Sequence, residues 1–181
     1  RKEQIITYYL EGQEIPFMGK GDLQKILPSL KKKFLYAEKY AETPLKKIFP
    51  GSTLENSKIL SVDFFANVIL INDGKGNFHE QELPAENQFS PLKCGVLLGA
   101  DQPQVLLFGN FYQNNIQLGR NDADFGSVLS INKQGELISK DLKGIVVKGQ
   151  VRHTGKIMIN NKPCFILAMN HDSLRVITAK P

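Results

Sequence analysis

The loop at residues 120–125, which reads RNDADF, carries the densest group of side chains that could bind a ligand. Arg120, Asp122 and Asp124 bring together one guanidinium and two carboxylates, and the aromatic pair Phe111 and Tyr112 precedes them. A guanidinium fork matches carboxylate and phosphate geometry, and an aromatic ring offers a face for stacking. These five residues are therefore the candidate binding residues. The favoured alternative is structural: Arg120 tethers the loop through an Arg–Asp pair, and the two rings pack between sheets.

No arrangement typical of a catalytic or cofactor site accompanies this loop. The histidines His79, His153 and His171 lack metal-ligand spacing, and none is next to a cysteine or a second histidine. The chain contains no nucleophile elbow, phosphate-binding loop or dinucleotide fingerprint. We therefore expect no enzyme activity, no catalytic residues, no cofactor and no metal.

Composition and charge limit the classes of protein to which this chain can belong. The chain has 181 residues with 41% hydrophobic residues and a net charge of +5, which is enough for one globular domain, residues 1–181. The lysines are concentrated in the segments LKKKF and PLKKIF, which is typical of a solvated helix face and not of a nucleic-acid surface interleaved with aromatic residues. No apolar run approaches the ~18 residues of a membrane span.

Arg1 in place of methionine indicates a processing site or a fragment boundary.

Two kinds of secondary structure follow one another along the chain. Residues 16–57 are predicted to be mainly helical, with Asp22 as an N-cap, a break at Pro28 followed by a longer helix, and a third helix capped by Thr43. Leu23, Leu27, Leu30 and Phe34 are predicted to pack against the β structure, with Lys31–Lys33 in water. From residue 59 onward, short β-branched and aromatic segments alternate with turns, which predicts antiparallel strands.

A 60-residue repeat organises these strands. Shifting the sequence by 60 places Gly95 on Gly155 and Asn110 on Asn170, and the match continues from Val68 on Val128 with a one-residue gap in the turn before Gly76. The repeats cover about residues 59–110 and 119–170. The N-terminal segment QIITYYL matches QVLLFGN, so the helices are predicted to be an insertion within the first repeat. Each repeat then supplies four strands, the content of a propeller blade.

The segment NVILINDGKGNFHEQELP resembles the FG-GAP/VCBS repeat, the blade unit of integrin-α-type β-propellers. LLFGNFYQNNIQLGRNDADFGSVL and ITYYLEGQEIPF are similar to segments of a bacterial envelope subset of that family. The resemblance implies a mainly β fold, a partial β-propeller of two to three four-stranded blades with a short helical insertion. It also implies an extracytoplasmic location in the cell envelope, periplasm or secreted fraction, and non-catalytic binding of a protein or a glycan. The alternative is the propeller part of a carbohydrate- or lipid-active enzyme.

The calcium loops of that family are not preserved here. The equivalent segments read GADQPQV (99–105) and INNKPCF (159–165), and Asp101 is the only carboxylate in the two. Calcium takes six to eight oxygen ligands, so we expect both loops to be free of metal. Cys94 and Cys164 are expected to be two buried thiols, with a disulfide as the alternative.

Two to three blades are fewer than the roughly four to eight of a closed propeller. The sequence therefore predicts an open arc of sheets with exposed edges, through which the chain could self-associate.

Overall fold

The computed structural model describes residues 4–49, 51–99, 104–116 and 118–178. The chain divides into two compact units, with the boundary between Val62 and Asp63. Strands hold more residues than helices, and all strand pairs are antiparallel. The predicted mainly β class is thus confirmed, and no sheet among the described residues closes into a barrel. A single domain with inserted helices stays a prediction.

The first unit combines one hairpin with short helices. Strands β1 (Thr7–Leu10) and β2 (Gln13–Pro16) are followed by α1 (Lys20–Ile26), a 3₁₀ turn (Pro28–Lys32), α2 (Ala37–Ala41), α3 (Leu45–Ile48) and α4 (Gly51–Glu55). Among the described residues of this unit, the core buries seven side chains, with Leu27 half-buried against them: Leu23, Leu30, Phe34, Tyr40, Leu45, Ile48 and Phe49. The apolar face predicted for the helices is therefore buried, and Lys31–Lys33 are exposed as predicted. Contact of this face with the β structure stays a prediction.

Several helix predictions were wrong in detail. The residue capping α1 is Gly19, and Asp22 lies inside the first turn. Pro28 does end the first helix, but only a 3₁₀ turn follows it because the chain breaks again before α2. The cap of α3 is Pro44 and not Thr43, whose hydroxyl donates backward to the Lys39 carbonyl. The backward hydrogen bond removes the Thr43 oxygen from the capping position.

Among the described residues, the second unit contains nine strands in three sheets. A hairpin joins β3 (Val68–Asn72) to β4 (Phe78–Glu82). A four-stranded sheet runs in chain order through β5 (Leu92–Leu97), β6 (Gln104–Gly109), β7 (Ser127–Ile131) and β8 (Leu137–Asp141). A three-stranded sheet contains β9 (Val151–Ile159), β10 (Lys162–Met169) and β11 (Arg175–Thr178), in the order β9-β10-β11. The strand at the start of the first repeat is shorter than predicted, since residues 63–67 are not in a strand.

The repeat is visible in the strand pairing, but with a different register. Val68 pairs with Glu82, and Ser127 pairs with Asp141. Both members of the first pair lie 59 residues before those of the second, so the two hairpins correspond by a shift of 59 residues over their whole length. The predicted match of Val68 with Val128 and the gap in the turn were therefore wrong. The turns themselves agree, because Asp73 and Asn132 each accept backbone N–H groups from residues two and four positions later.

The strand pair β5-β6 corresponds to the pair β9-β10, because each pair has a β-bulge at the same place in its first strand. Lys93 is the extra residue between Leu92 and Cys94, and Arg152 is the extra residue between Val151 and His153. Because these bulges are equivalent, Gly95 corresponds to Thr154, and the match with Gly155 was wrong. The match of Asn110 with Asn170 holds, since their N–H groups donate to the carbonyls of Pro91 and Gln150, which directly precede β5 and β9.

The two larger sheets share one core and meet through non-equivalent faces. From the four-stranded sheet, Leu106 and Phe108 enter this core with half-buried Val96 and Val128. From the three-stranded sheet, the core receives Val151, Phe165, Leu167 and Ile177. When the two bulges are aligned, Phe108 corresponds to Ala168, and Leu107 corresponds to Leu167. The core contains Phe108 from one strand but Leu167 from the other, so equivalent strands of the two sheets face the core with opposite sides. The first strands, β5 and β9, lie beside each other.

None of the described helices has the length and apolar character needed to cross a bilayer. Self-association through sheet edges stays a prediction.

Candidate functional site

The candidate loop leaves β6 at Gly109 and returns at β7. Its two ends are joined by an isolated bridge, in which Phe111 and Asn121 exchange backbone hydrogen bonds of 2.8 and 2.9 Å. Tyr112 and Arg120 therefore lie at the neck of the loop, where the chain enters and leaves its tip. Asn110 and Asp124 lie on the strand side of this bridge.

A buried polar network holds the neck in place. Asn110, 1% exposed with φ of 80°, donates through its amide nitrogen to the carbonyls of Asp124 (2.7 Å) and Gly149 (2.9 Å). Its amide oxygen accepts from the Ser90 hydroxyl and the Asp124 N–H. Asparagine is among the few residues that adopt positive φ at low cost. The network thus fixes the loop to both larger sheets.

Asp124 belongs to this network and is not free to bind a ligand. Its carboxylate accepts hydrogen bonds from the N–H groups of Gly109 (2.6 Å) and Gly126 (3.3 Å). Burial raises the pKa of Asp124, although both hydrogen bonds act in the opposite direction. Burial, together with the nearby Asp124 charge, raises the pKa of the Cys94 thiol to about 11. Cys94 and Cys164 are both free thiols; Cys164 is buried as predicted, whereas Cys94 is only half-buried.

The two bulges supply cations to one aromatic ring. The Lys93 ammonium lies 5.3 Å from the centre of the Phe111 ring, and the Arg152 guanidinium lies 5.6 Å from it. Arg152 also donates to the side-chain oxygens of Gln113 and Gln150, both at 2.8 Å. Gln150 in turn accepts the Tyr112 N–H. A bulge re-aims the side chain of its extra residue, and here two equivalent bulges re-aim two cations to the same place.

A third cation lies over the second ring, beside a shallow cleft. The Arg120 guanidinium is 4.9 Å from the centre of the Tyr112 ring. The cleft, of about 250 Å³, is lined by Tyr112, Asp122, Phe125, Lys148 and Gly149. Gly149 lines the cleft with φ of 108°, a backbone conformation that favours glycine.

We call the group formed by Lys93, Phe111, Tyr112, Arg120, Asp122, Lys148 and Arg152 the basic aromatic surface. Within the described part of the chain, none of its four cations forms an ion pair with a carboxylate. The favoured interpretation of Arg120 as a tether paired with aspartate is therefore wrong for these residues. The Arg120 guanidinium lies over the Tyr112 ring instead.

The structure places four of the five predicted residues, Phe111, Tyr112, Arg120 and Asp122, on this surface, and assigns Asp124 to the network beneath it. Sequence reasoning missed Lys93, Lys148 and Arg152. Lys93 and Arg152 carried a usable signal, since they are cations at equivalent repeat positions, but the bulges that reveal the equivalence are visible only in the structure.

No cluster of potential metal ligands occurs among the described residues. Asp101, the single carboxylate of the calcium-loop positions, lies outside them. Comparison with protein-family models, with curated proteins and with solved structures found no match. The resemblance to FG-GAP/VCBS repeats therefore stays a prediction.

Proposed function

We propose that this chain is a non-catalytic binding region of an extracytoplasmic repeat protein and that it binds a protein or glycan partner through the basic aromatic surface. The observation that carries this proposal is the convergence of Lys93 and Arg152, from two different sheets, on the Phe111 ring without a carboxylate partner among the described residues. Concentrating like charges costs free energy, and an external anion or polar ligand would recover it.

The proposed architecture is part of a β-propeller of the FG-GAP/VCBS type. In a propeller, successive blades stack like wedges around an axis, so one face of each blade meets the opposite face of the next. The contact between opposite faces of equivalent strands supports this arrangement, and so does the proximity of the first strands β5 and β9. A sandwich related by two-fold symmetry would instead join equivalent faces.

The alternative, a carbohydrate- or lipid-active enzyme, requires a pair of carboxylates such as the two that flank a scissile glycosidic bond. Of the two candidate carboxylates, Asp122 faces the cleft, whereas Asp124 is engaged by backbone N–H groups. One free carboxylate supports binding better than hydrolysis.

Glycan and protein arrays probed with the full chain test this function. We expect at least one ligand to bind, its signal to be lost in the double variant Tyr112→Ala/Arg120→Gln, and its signal to persist in Lys75→Gln, a matched change of an exposed lysine in a distant turn. A signal that survives in the double variant would contradict the proposal. Turnover of a bound glycan or lipid that Asp122→Asn abolishes would favour the enzyme.

A further inference from the structure

Resting on the proposed function, we propose that the ligand of the basic aromatic surface is an acidic saccharide, bound through a carboxylate of a uronic-acid type sugar. The charge of the surface selects an anion. Its four cations, Lys93, Arg120, Lys148 and Arg152, have no ion-pair partner within the residues that the structure describes, and two of them, Lys93 and Arg152, lie over the same ring. A cluster of like charges on the surface raises the local concentration of anions.

The geometry of Arg120 selects a carboxylate. Its guanidinium lies over the Tyr112 ring, 4.9 Å from the ring centre, and none of its N–H groups donates to another described residue. A guanidinium stacked on a ring keeps its edge available, and that edge forms two parallel hydrogen bonds with a planar carboxylate. Arg152 is held by hydrogen bonds to Gln113 and Gln150 and lies over the Phe111 ring. The position of Arg152 is therefore set before the ligand arrives.

Asp122 selects a ligand that also carries hydroxyl groups. Its exposed carboxylate lines the same cleft as Tyr112 and Lys148 and forms no hydrogen bond to a described residue. A carboxylate accepts hydrogen bonds from sugar hydroxyls and repels a second closely spaced negative charge. This combination suits a sugar with one carboxylate and several hydroxyls better than a polyphosphate or an acidic peptide.

The size of the cleft restricts the bound unit. Its volume of about 250 Å³ lies below the roughly 300–1,000 Å³ of pockets that enclose drug-sized ligands. One sugar unit fits such a space, and the neighbouring units of the chain would extend over Phe111 toward Lys93 and Arg152. The ligand is therefore an internal or terminal acidic unit of a longer glycan.

Titration calorimetry of the full chain with α-1,4-linked trigalacturonate tests this inference. Its methyl ester is the matched uncharged probe, in which each carboxylate is replaced by a methyl ester, and triglutamate is the peptide probe. We expect trigalacturonate to bind at least about tenfold more tightly than either of the other two, as loss of a charge-assisted bidentate contact implies. Circular dichroism establishes that each variant is folded.

Single variants separate the contributions of the two arginines and of Asp122 to binding. Arg120→Gln and Arg152→Gln should each weaken trigalacturonate binding about tenfold, whereas Lys75→Gln, with the same change of net charge, should not alter it. Asp122→Asn should weaken binding of trigalacturonate, which loses an acceptor for its hydroxyl groups, and should strengthen that of triglutamate, which loses a repelling charge.

Equal binding of the methyl ester would overturn the role of the carboxylate, and equal binding of triglutamate would replace the saccharide by an acidic peptide. Either result leaves the proposed binding function intact if the arrays show a ligand that depends on Tyr112 and Arg120. Absence of both array signal and trigalacturonate binding would overturn the two together.

Discussion

Replacing Asn110 by alanine should destabilise the second unit by about 3–5 kcal/mol. The side chain forms four hydrogen bonds within a site that is 1% exposed. Each contributes about 0.5–1.5 kcal/mol, and removal leaves the buried partner groups unpaired. Alanine would also hold φ of 80° at a cost of about 1 kcal/mol or more.

Two matched variants separate these contributions. Asn110→Gly removes the same hydrogen bonds but tolerates positive φ, so it should cost about 1 kcal/mol less than alanine. Asn170, the equivalent residue of the next repeat, forms no side-chain hydrogen bond to a described residue, and only its N–H donates, to Gln150. Asn170→Ala should therefore cost less than about 1 kcal/mol, although the repeat makes the two positions equivalent.

The assay must report on the second unit alone, and the two cysteines provide this. Cys94 and Cys164 both lie in that unit and are half-buried and buried, so thiol labelling along a urea titration follows its unfolding. Equal losses for Asn110→Ala and Asn170→Ala would refute the account of the network. An effect of Asn110→Ala below about 1 kcal/mol would do the same.

Three further predictions concern other parts of the chain. Leu30→Ala should cost about 2–4 kcal/mol because Leu30 is buried, whereas Lys31→Ala should cost less than about 0.5, and thermal unfolding that shows equal losses would exclude the proposed helix face. Iodoacetamide at pH 8 should alkylate Cys94 about a hundredfold more slowly in the folded than in the urea-unfolded chain, because a pKa of about 11 instead of 9.0 depletes the thiolate. A chelator should leave the melting temperature unchanged, and a fall of several degrees would show that a metal-dependent loop had been missed.

The sequence predicted the β segments well and their register poorly. Glycine-containing turns such as that around Gly135 mark strand ends, and the four strands β5–β8 were expected between residues 94 and 142. A bulge leaves no comparable mark, because the extra residue can be of any type. The positions of Lys93 and Arg152 therefore became clear only from the strand pairing.

Helix ends were harder to predict than helix existence. Asp22 is a favourable capping residue, yet the cap of α1 lies three residues earlier, at Gly19, whose extended backbone is compatible with a cap position. Short helices of this kind take their stability from burial of residues such as Leu23 and Ile48, and local capping preferences are too weak to set their ends.

The candidate site was half predictable. Aromatic and charged residues at 111–124 identified the loop, but a sequence cannot show where a side chain points. Asp124 turned out to accept backbone hydrogen bonds, and Arg120 turned out to stack on a ring instead of pairing with aspartate. Both outcomes depend on the bridge between Phe111 and Asn121, which brings distant parts of the loop together.

Stacking of the two larger sheets through opposite faces underlies the propeller proposal and brings Lys93 and Arg152 to the same ring. A double-mutant cycle tests this stacking directly, because it measures the coupling free energy between residues of the two sheets. Phe108→Leu and Leu167→Val truncate residues of the shared core, whereas Leu107→Val and Ile166→Val truncate residues on the faces turned away from it. With unfolding followed by thiol labelling, the account predicts a coupling of at least about 0.5 kcal/mol for Phe108 with Leu167 and additive effects for Leu107 with Ile166. Additivity in the first pair together with coupling in the second would contradict it.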